Sequence, residues 1–505
     1  MKKTNTTGRR TGKKFYLTTA IAYVNAPPHI GFALESIQAD AIARRKRQEG
    51  YEVRFLTGTD EHGDKIARTA AAAGLAPRRF VDRMVRENFK TLKRTLNLSW
   101  DDFIRTSDRK RHWPGALELW RRLEKSGDLY TKRYRGLYCV GCEKFITEKD
   151  LEGDLCPYHK KEPEIFEEEN YFFRLSRYGE RLAVLIESGR YRVLPEVRRN
   201  EVLAFIRSGL EDVSFSRSRE KISWGIPVPK SDQTIYVWCD ALTNYLSAAG
   251  FGGKSREEKA RYAAWWPADL HLVGKDIVRF HAVIWPAMLM AAKIPLPKRL
   301  YAHGFVTVNG EKISKSLGNA IDPVGLVRDY GADALRYYLL REVPSDEDGD
   351  FSEKKLESRY ASDLAKGLGN FASRVTALAA GLRLDPARKP AREVARAARE
   401  ADKAVARAFD AFRLHEAAAA AWGLVSFGDG YVNAHRPWET KSEKVIADLV
   451  WLLEQIGRLV EPFVPEAGGK IRRAVTRSAR GLRVRRISAL FPRREEEVAK
   501  SGDGA

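Results

Sequence analysis

The sequence predicts an α/β protein: a doubly wound parallel-sheet domain split by an insertion, then an all-α bundle. Three observations carry this expectation. Strand-like apolar runs alternate with helical patterns from Phe15 to Thr106, and the alternation resumes near Thr234. Three of the four cysteines crowd between Cys139 and Cys156, inside the gap. From Leu356 onward the chain reads as Ala- and Arg-rich amphipathic helix with no convincing strand.

The elements follow in order. Residues 1–14 read as a disordered basic tail. The apolar run Phe15–Val24 behind it mimics a signal peptide, but it is short and no small-residue cleavage site precedes Pro27. Phe15–Ala20 is instead expected to be a buried strand, followed by a rigid loop from Tyr23 to Pro28. His29-Ile30-Gly31-Phe32 then opens a helical pattern over Ala33–Gln48, with Arg44–Arg47 in its last turn. A strand, a loop and a helix N-terminus make an anion site, and Gly31 lets the anion come close. His29 reads either as a donor to a phosphate oxygen or as a capping residue. A second strand, Glu52–Leu56, runs into Thr57-Gly58-Thr59-Asp60-Glu61-His62-Gly63. Ligand groups sit at strand C-terminal ends in open α/β sheets, so Asp60 suits a cationic amine. It suits equally the N-cap of a helix after Gly63.

The spacing Cys139-x2-Cys142-x13-Cys156-x2-His159 offers three thiolates and one imidazole. That set favours one tetrahedral Zn²⁺, closed by protein on all sides and therefore structural. Cys239 is expected to be a small buried residue. Thr234–Leu242 reads as a strand, and Leu270–Val273 as another that ends in Gly274-Lys275-Asp276 and opens a helix with Ile277, Phe280 and His281. This second set of strands makes the split domain Rossmann-like.

Phe305–Asn309 reads as a strand with a turn at Asn309-Gly310. The loop Glu311–Asn319 interleaves Lys312 and Lys315 with Ser314 and Ser316. Such a loop can grip a phosphate chain whose charge moves during reaction, or be merely a solvated basic loop. Pro323–Leu340 is helical. Breaks at Asp385-Pro386, Gly428–Gly430 and Pro462–Gly469 divide the remainder into four or five helices. Asn370 and Arg374 share a helix face, and Trp438 follows Pro437. Basic and aromatic groups of this kind suit unstacked bases of a single-stranded RNA loop, or else are a surface pair and a core tryptophan.

Composition agrees with a nucleic-acid partner. The 505 residues carry a net charge of +22, which points to a polyanionic partner or else serves solubility in an unusual cytoplasm, and 44% hydrophobic with 31% charged residues describe a soluble globular protein. No apolar run reaches membrane-spanning length, and the cysteine pattern is that of a reducing, cytoplasmic compartment. No repeat of 20–50 residues is found.

Taken together, these motifs resemble a known family. His29-Ile30-Gly31-Phe32 resembles the HIGH signature of class I aminoacyl-tRNA synthetases, and Lys312-Ile313-Ser314-Lys315-Ser316 their KMSKS loop. Nearly the full length resembles the methionyl-tRNA synthetases. This is carried by Tyr23–His29, Phe55–Gly63, Trp224–Pro227, Tyr236–Trp238, Gly274–Ile277 and Gly331–Tyr338. The zinc module resembles the family's single-metal form. The Ile, Val and Leu enzymes carry much larger editing insertions.

The resemblance implies a Rossmann-like catalytic domain in two halves, 15–117 and 234–304, with a zinc-binding insertion at 118–233. A lysine-loop linking domain at 305–355, an α-helical anticodon-binding domain at 356–492 and a charged tail at 493–505 complete it. It implies ligation of L-methionine to tRNA(Met) through a methionyl-adenylate, with Mg²⁺ accompanying ATP. Ile21, Tyr23, Trp238, Ala241, Tyr245, Ile277 and His281 would wrap the methionine side chain, and Asp60 would hold its ammonium. His29, Lys312 and Lys315 would be catalytic. With Gly31, Gly274, Asp276 and Ser314 they would bind ATP, and Arg217 would approach the site. Asn370, Arg374 and Trp438 would read the anticodon. A monomer is expected, because the C-terminal OB-fold of some relatives is not seen after the bundle.

Two departures stand out. Phe32 replaces the second signature histidine and cannot donate to phosphate; Ile313 replaces methionine in the lysine loop. Phe32 alone would support an alternative, a catalytically impaired tRNA-binding relative. The four-ligand set makes a direct prediction: metal analysis of the purified protein returns about one zinc per chain. A folded, zinc-free protein removes that assignment.

Overall fold

The computed structural model describes residues 11–140, 144–146, 151–157, 160–308, 310–312, 321–478 and 481–492. They form two compact units. The first comprises the chain up to Pro28, Lys46–Thr91 and Ser99–His303; the second comprises His29–Arg45, Leu92–Leu98 and the chain from Gly304.

A seven-stranded parallel sheet organises the first unit. Its strands are β1 (Lys14–Thr19), β2 (Ala22–Tyr23), β3 (Glu52–Asp60), β4 (Asp102–Arg105), β5 (Arg192–Leu194), β6 (Leu270–Gly274) and β7 (Arg299–His303). Their order is β2-β3-β1-β6-β7-β5, with β4 also pairing with β3. Each pairing is parallel. Strands β1 and β6 are fully apolar or buried along most of their length, as parallel strands covered on both faces must be. The order reverses between β1 and β6, so their C-terminal ends flank the switch point where open sheets bind ligands.

The helix α1 (Ile30–Gln48) follows β2 in sequence. The helix α2 (Trp113–Lys125) turns its Leu119, Trp120 and Leu123 into the core cluster of the first unit. That cluster also holds Tyr16, Tyr191, Tyr245 and Trp285, all essentially inaccessible.

The gap between the two runs of strands contains an antiparallel sheet of Leu129–Cys139, Lys144–Ile146, Glu164–Phe173 and Val213–Ser214. Within the expected 118–233 insertion, Arg192–Leu194 forms an edge strand of the parallel sheet instead. The expected strand over Thr234–Leu242 is a misreading. Gln233–Ile235 alone is extended, paired with Ser216–Ser218, and Val237–Leu242 is the helix α3. A short apolar run buried on all sides has no period that separates strand from helix. After the edge strand Arg192–Leu194, the parallel sheet takes its next strand at Leu270, not at Thr234.

In the second unit, Val306–Val308 pairs antiparallel with Glu311–Lys312 and parallel with Gly349–Asp350. Gly310 turns the hairpin at φ +76°, a conformation that L side chains rarely adopt. The helix expected over Pro323–Leu340 is two helices, Pro323–Tyr330 and α4 (Ala332–Glu342), broken at Gly331. The bundle comprises α5 (Asn370–Ala379), α6 (Arg392–Asp410), α7 (Leu414–His435), α8 (Glu443–Val460) and α9 (Pro465–Ala474). Two readings fail here. Helix α7 runs through Gly428–Gly430 unbroken, because a Cβ on Gly428 would lie 2.6 Å from the Phe371 ring. The glycine serves close helix packing, not termination. A hairpin of Val475–Ser478 and Gly481–Val484 also follows α9, where no strand was expected.

Arg336 on α4 is the polar centre of this unit. Its guanidinium is fully buried, 2.7 Å from Asp40 of α1. It also donates to the carbonyls of Leu96, Pro462 and Phe463 at 3.1, 2.9 and 3.2 Å. Asp40 additionally accepts from Arg44 at 2.6 Å. Removing one partner of such a pair strands the other in low dielectric. Arg336→Met should therefore lower stability by about 3 kcal/mol, read as a shift of the urea-unfolding midpoint by circular dichroism.

Candidate active site

The strand ends at the switch point carry the predicted side chains. Thr19 ends β1, with Ile21 and Tyr23 just beyond; Asp60 ends β3; Gly274 ends β6. Asp60 is nearly buried, and its backbone carbonyl accepts from the Val24 N–H at 3.2 Å. The capping reading of Asp60 fails: the next helix begins at Asp64 behind Gly63, with no side-chain cap. A Cβ on Gly274 would lie 2.9 Å from the Asp276 carboxylate, so the glycine keeps the strand end open.

An aromatic group, Trp238, Phe280 and Tyr245, packs on the core cluster of the first unit. Trp238 on α3 stacks on Phe280, with ring centroids 3.6 Å apart and planes within 9°. The buried Trp238 indole N–H has no hydrogen-bond partner among the described residues. His281 lies in a π-helical turn, Phe280–Ile284, that follows the short turn Lys275–Ile277. Its Nδ1 lies 3.0 Å from the Ile277 carbonyl, and a carbonyl only accepts, so Nδ1 carries the proton. Nε2 then accepts from the Tyr245 hydroxyl at 2.8 Å. The Tyr191 hydroxyl donates to the His281 carbonyl at 2.7 Å. Ile21, Tyr23 and Ile277 pack as partly buried groups on the same core cluster that holds Tyr245, and Ala241 is buried one residue before Leu242 of that cluster.

Sequence reasoning placed Phe280 on the right helix but not in this aromatic group. It also missed the buried charge network next to Asp60 in sequence. The neighbouring Glu61 is fully buried. It accepts from Arg105 at 2.7 and 2.9 Å and from Thr59 at 2.6 Å, and also from Ser107. The Trp224 indole donates to the Glu61 carbonyl. A fully buried carboxylate persists only when so paired.

His29 precedes the first residue of α1 and is exposed. Its carbonyl accepts from the Phe32 and Ala33 N–H groups, and its Nδ1 accepts from the Gly31 N–H at 3.1 Å. The capping reading of His29 therefore holds. Capping through Nδ1 fixes the proton on Nε2, which makes that nitrogen a donor. Lys312 pairs through its backbone with Thr307. Ser314 and Lys315 lie outside the described residues.

Cys139 and Cys156, two of the four expected ligands, are both buried and belong to one small cluster with Ile146. Cys142 and His159 lie outside the described residues. Among the described residues no three His, Cys, Asp or Glu side chains group around a metal position.

In the second unit, Arg374 on α5 lies 5.4 Å from the centroid of the Trp438 ring and donates to Asn433 at 3.1 Å. Trp438 is 46% exposed, which excludes the core reading. Asn370 is exposed one turn before Arg374 on the same helix. Arg217, expected near the site, is buried in the first unit, 4.4 Å from the Tyr236 ring centroid and 5.4 Å from that of Tyr138.

A parallel sheet with its ligand groups at the switch point and a helical bundle behind it in sequence fits one large class of adenylate-forming enzymes. The family model described as "tRNA synthetases class I (M)" matches residues 15–164 and 149–376. The methionine–tRNA ligase of Mycobacterium bovis is 44% identical over 91% of both chains. That of Thermotoga maritima is 43% identical over 92% of this chain and 75% of its own length. The structure of Mycobacterium tuberculosis methionyl-tRNA synthetase in complex with methionyl-adenylate aligns with TM-score 0.88 and 40% identity, over 95% of this chain and all of that one. The chain belongs to the methionyl-tRNA synthetase family of class I synthetases.

Burial holds the His281 imidazole at about 4, against the opposing pull of the Ile277 carbonyl and Asp276. Unfolding releases it to the ordinary value near 6.5, so its contribution is complete above that pH and is lost as pH falls toward 4. The loss is on the order of 3 kcal/mol. His281→Gln should flatten the acid limb of stability against pH by close to one proton. The check is the unfolding midpoint measured from pH 7 to pH 4.

Proposed function

We propose that this chain ligates L-methionine to tRNA(Met) in two steps, with the residues of this site in the roles that follow. Methionine carboxylate attacks the ATP α-phosphorus in line, the α–β phosphoanhydride bond breaks, and Mg²⁺-bound diphosphate leaves. The 3′-terminal adenosine hydroxyl of the tRNA then attacks the adenylate carbonyl, releasing AMP. No side-chain nucleophile is needed.

The observation that carries this reading is the aromatic group packed on the core cluster that also receives Tyr23, the strand partner of Asp60. The stacked Trp238–Phe280 pair and the Tyr245–His281 hydrogen bond suit a polarisable thioether. Ile21, Tyr23, Ala241 and Ile277 would complete the walls. Asp60 would receive the ammonium at the end of β3. The buried, unpartnered Trp238 N–H is a donor that an occupant packed against this group can satisfy.

ATP would be bound by His29, Gly31, Gly274, Asp276, Lys312, Ser314 and Lys315. His29, with Nε2 as donor, and the two lysines would neutralise charge that develops on the phosphates. Asn370, Arg374 and Trp438 would read anticodon bases by stacking and edge hydrogen bonds. One Zn²⁺ on Cys139, Cys142, Cys156 and His159 would close the knuckles of the insertion; two buried thiols that belong to one small cluster fit that group. The catalytic domain would comprise 15–117 and 234–304 with the edge strand Arg192–Leu194. The anticodon-binding domain would comprise 356–492. The protein would act as a cytoplasmic monomer; no helix among the described residues is long and apolar enough to cross a membrane. The alternative of an RNA-binding relative without ATP chemistry gains nothing from the relatives described above, which are named as ligases.

The test is exchange of diphosphate into ATP, run with each amino acid. Methionine alone should support it, and exchange with no amino acid would overturn the reading. Trp438→Ala should weaken charging of tRNA at least tenfold while leaving exchange intact, as loss of a stacking base contact of about 1–3 kcal/mol requires.

A further inference from the structure

Behind the proposed methionine pocket lies a buried cluster that the chemistry above does not use. Asp240 is completely inaccessible. One carboxylate oxygen lies 2.6 Å from His62 Nδ1, and the other 2.6 Å from His112 Nε2. His62 and His112 are themselves at least nine-tenths buried. Each of these nitrogens faces an anion, so each carries a proton and donates. His112 Nδ1 is buried with no hydrogen-bond partner among the described residues, so the ring is oriented solely by Asp240 on that edge. The His62 ring also packs edge-on against Trp113 and Trp224, at 6.2 and 5.4 Å between centroids.

The placement of the three residues gives the cluster its meaning. His62 lies two residues beyond Asp60. Asp240 lies on α3, between Trp238 and Ala241. His112 immediately precedes α2. One carboxylate thus ties the loop that follows the proposed ammonium acceptor to the helix that bears two of the proposed side-chain walls. We propose that His62, Asp240 and His112 are positioning residues that fix Asp60 relative to the Trp238–Ala241 wall and so set affinity for the amino-acid substrate.

The geometry explains why a carboxylate is used. It accepts from two imidazoles at once, in directions fixed by the two oxygens. An asparagine there would turn an N–H₂ group toward one of the imidazole N–H groups. One bond would then be lost or one ring would have to flip. Burial pushes the Asp240 carboxyl up, but attraction to His62 and hydrogen bonds from both rings outweigh it and hold it below its ordinary range. The Asp240 carboxylate is therefore ionised at neutral pH.

This inference rests on the methionine reading of the site, and the experiment separates the two. Methionine-dependent exchange of diphosphate into ATP is measured in the unmodified chain and in Asp240→Asn, His62→Ala and His62→Asn. If the unmodified chain shows no such exchange, the functional reading fails before the cluster is reached. Given activity, Asp240→Asn and His62→Ala should raise KM for methionine tenfold or more. KM for ATP should move less than threefold and kcat should change little, because uniform binding is what is lost. His62→Asn, whose Nδ2 can occupy the Nδ1 position, should restore KM for methionine to within about threefold of the unmodified value, as the hydrogen-bond geometry allows. An unchanged methionine KM in His62→Ala would overturn the proposal. So would parallel losses in both KM values and kcat with no rescue by asparagine. If Asp240→Asn does not fold, the His62 pair decides; a His62→Ala chain that does not fold also overturns the proposal, since the cluster would then serve the fold alone.

Discussion

The pairing of β1 with β6 is the constraint on which the first unit depends. Leu17, Thr18 and Thr19 lie opposite Leu270, His271 and Leu272. The Tyr16 N–H, at the base of this pairing, donates to an Asp269 oxygen 253 residues away at 2.8 Å. Closing so long a loop costs entropy that only a large buried interface can offset. The sheet supplies it, since both strands are covered on both faces. Register then decides chemistry. A slip of one residue would turn every side chain of β1 to the opposite face. It would break the bond from the Tyr16 hydroxyl to the Tyr245 carbonyl and that between Thr18 and His271 Nδ1, at 2.9 and 2.7 Å.

These bonds indicate what buried polar groups do in this protein. His271, His281, Asp240 and Glu61 are all enclosed, and each is tied to a neighbour at hydrogen-bond distance. None is arranged as an activated nucleophile. Cys239 makes the contrast plain: burial first, and then the adjacent Asp240 charge, push its thiol well above the ordinary range. A thiol so disposed supplies no thiolate at neutral pH. The reaction assigned to this family needs none, because the substrates carry their own nucleophiles. What the protein must supply is orientation and fixed charge, and rigid buried networks give both.

Much of this was legible in the sequence, for a physical reason. Strand–helix alternation has a period, and ligand groups at strand ends follow from topology. The places of Asp60 and Gly274 at strand ends, and of His29 before a helix, were therefore readable from local pattern. Features without a period were not. Val237–Leu242 reads as strand because a run buried on all sides shows no face. Gly428 reads as a break because the Phe371 ring that demands it lies on another helix. The strand Arg192–Leu194 is three residues long and surrounded by helix, too short to leave a mark. The Asp240 cluster joins residues 178 and 128 positions apart, and nothing local links them. Long-range pairing of charged groups is decided by packing, and packing becomes visible only once the chain is folded.

The first turn of α1 shows how a local departure can be absorbed. Phe32 offers no side-chain donor where the family signature has a histidine. The remaining histidine is used efficiently. The Gly31 N–H occupies His29 Nδ1, which commits the proton to Nε2. The same glycine must stay a glycine, because a Cβ there would lie 2.9 Å from the His29 ring. The positive end of the helix macrodipole adds fixed charge that needs no side chain. A phosphate at this turn would then meet one imidazole donor and the helix terminus.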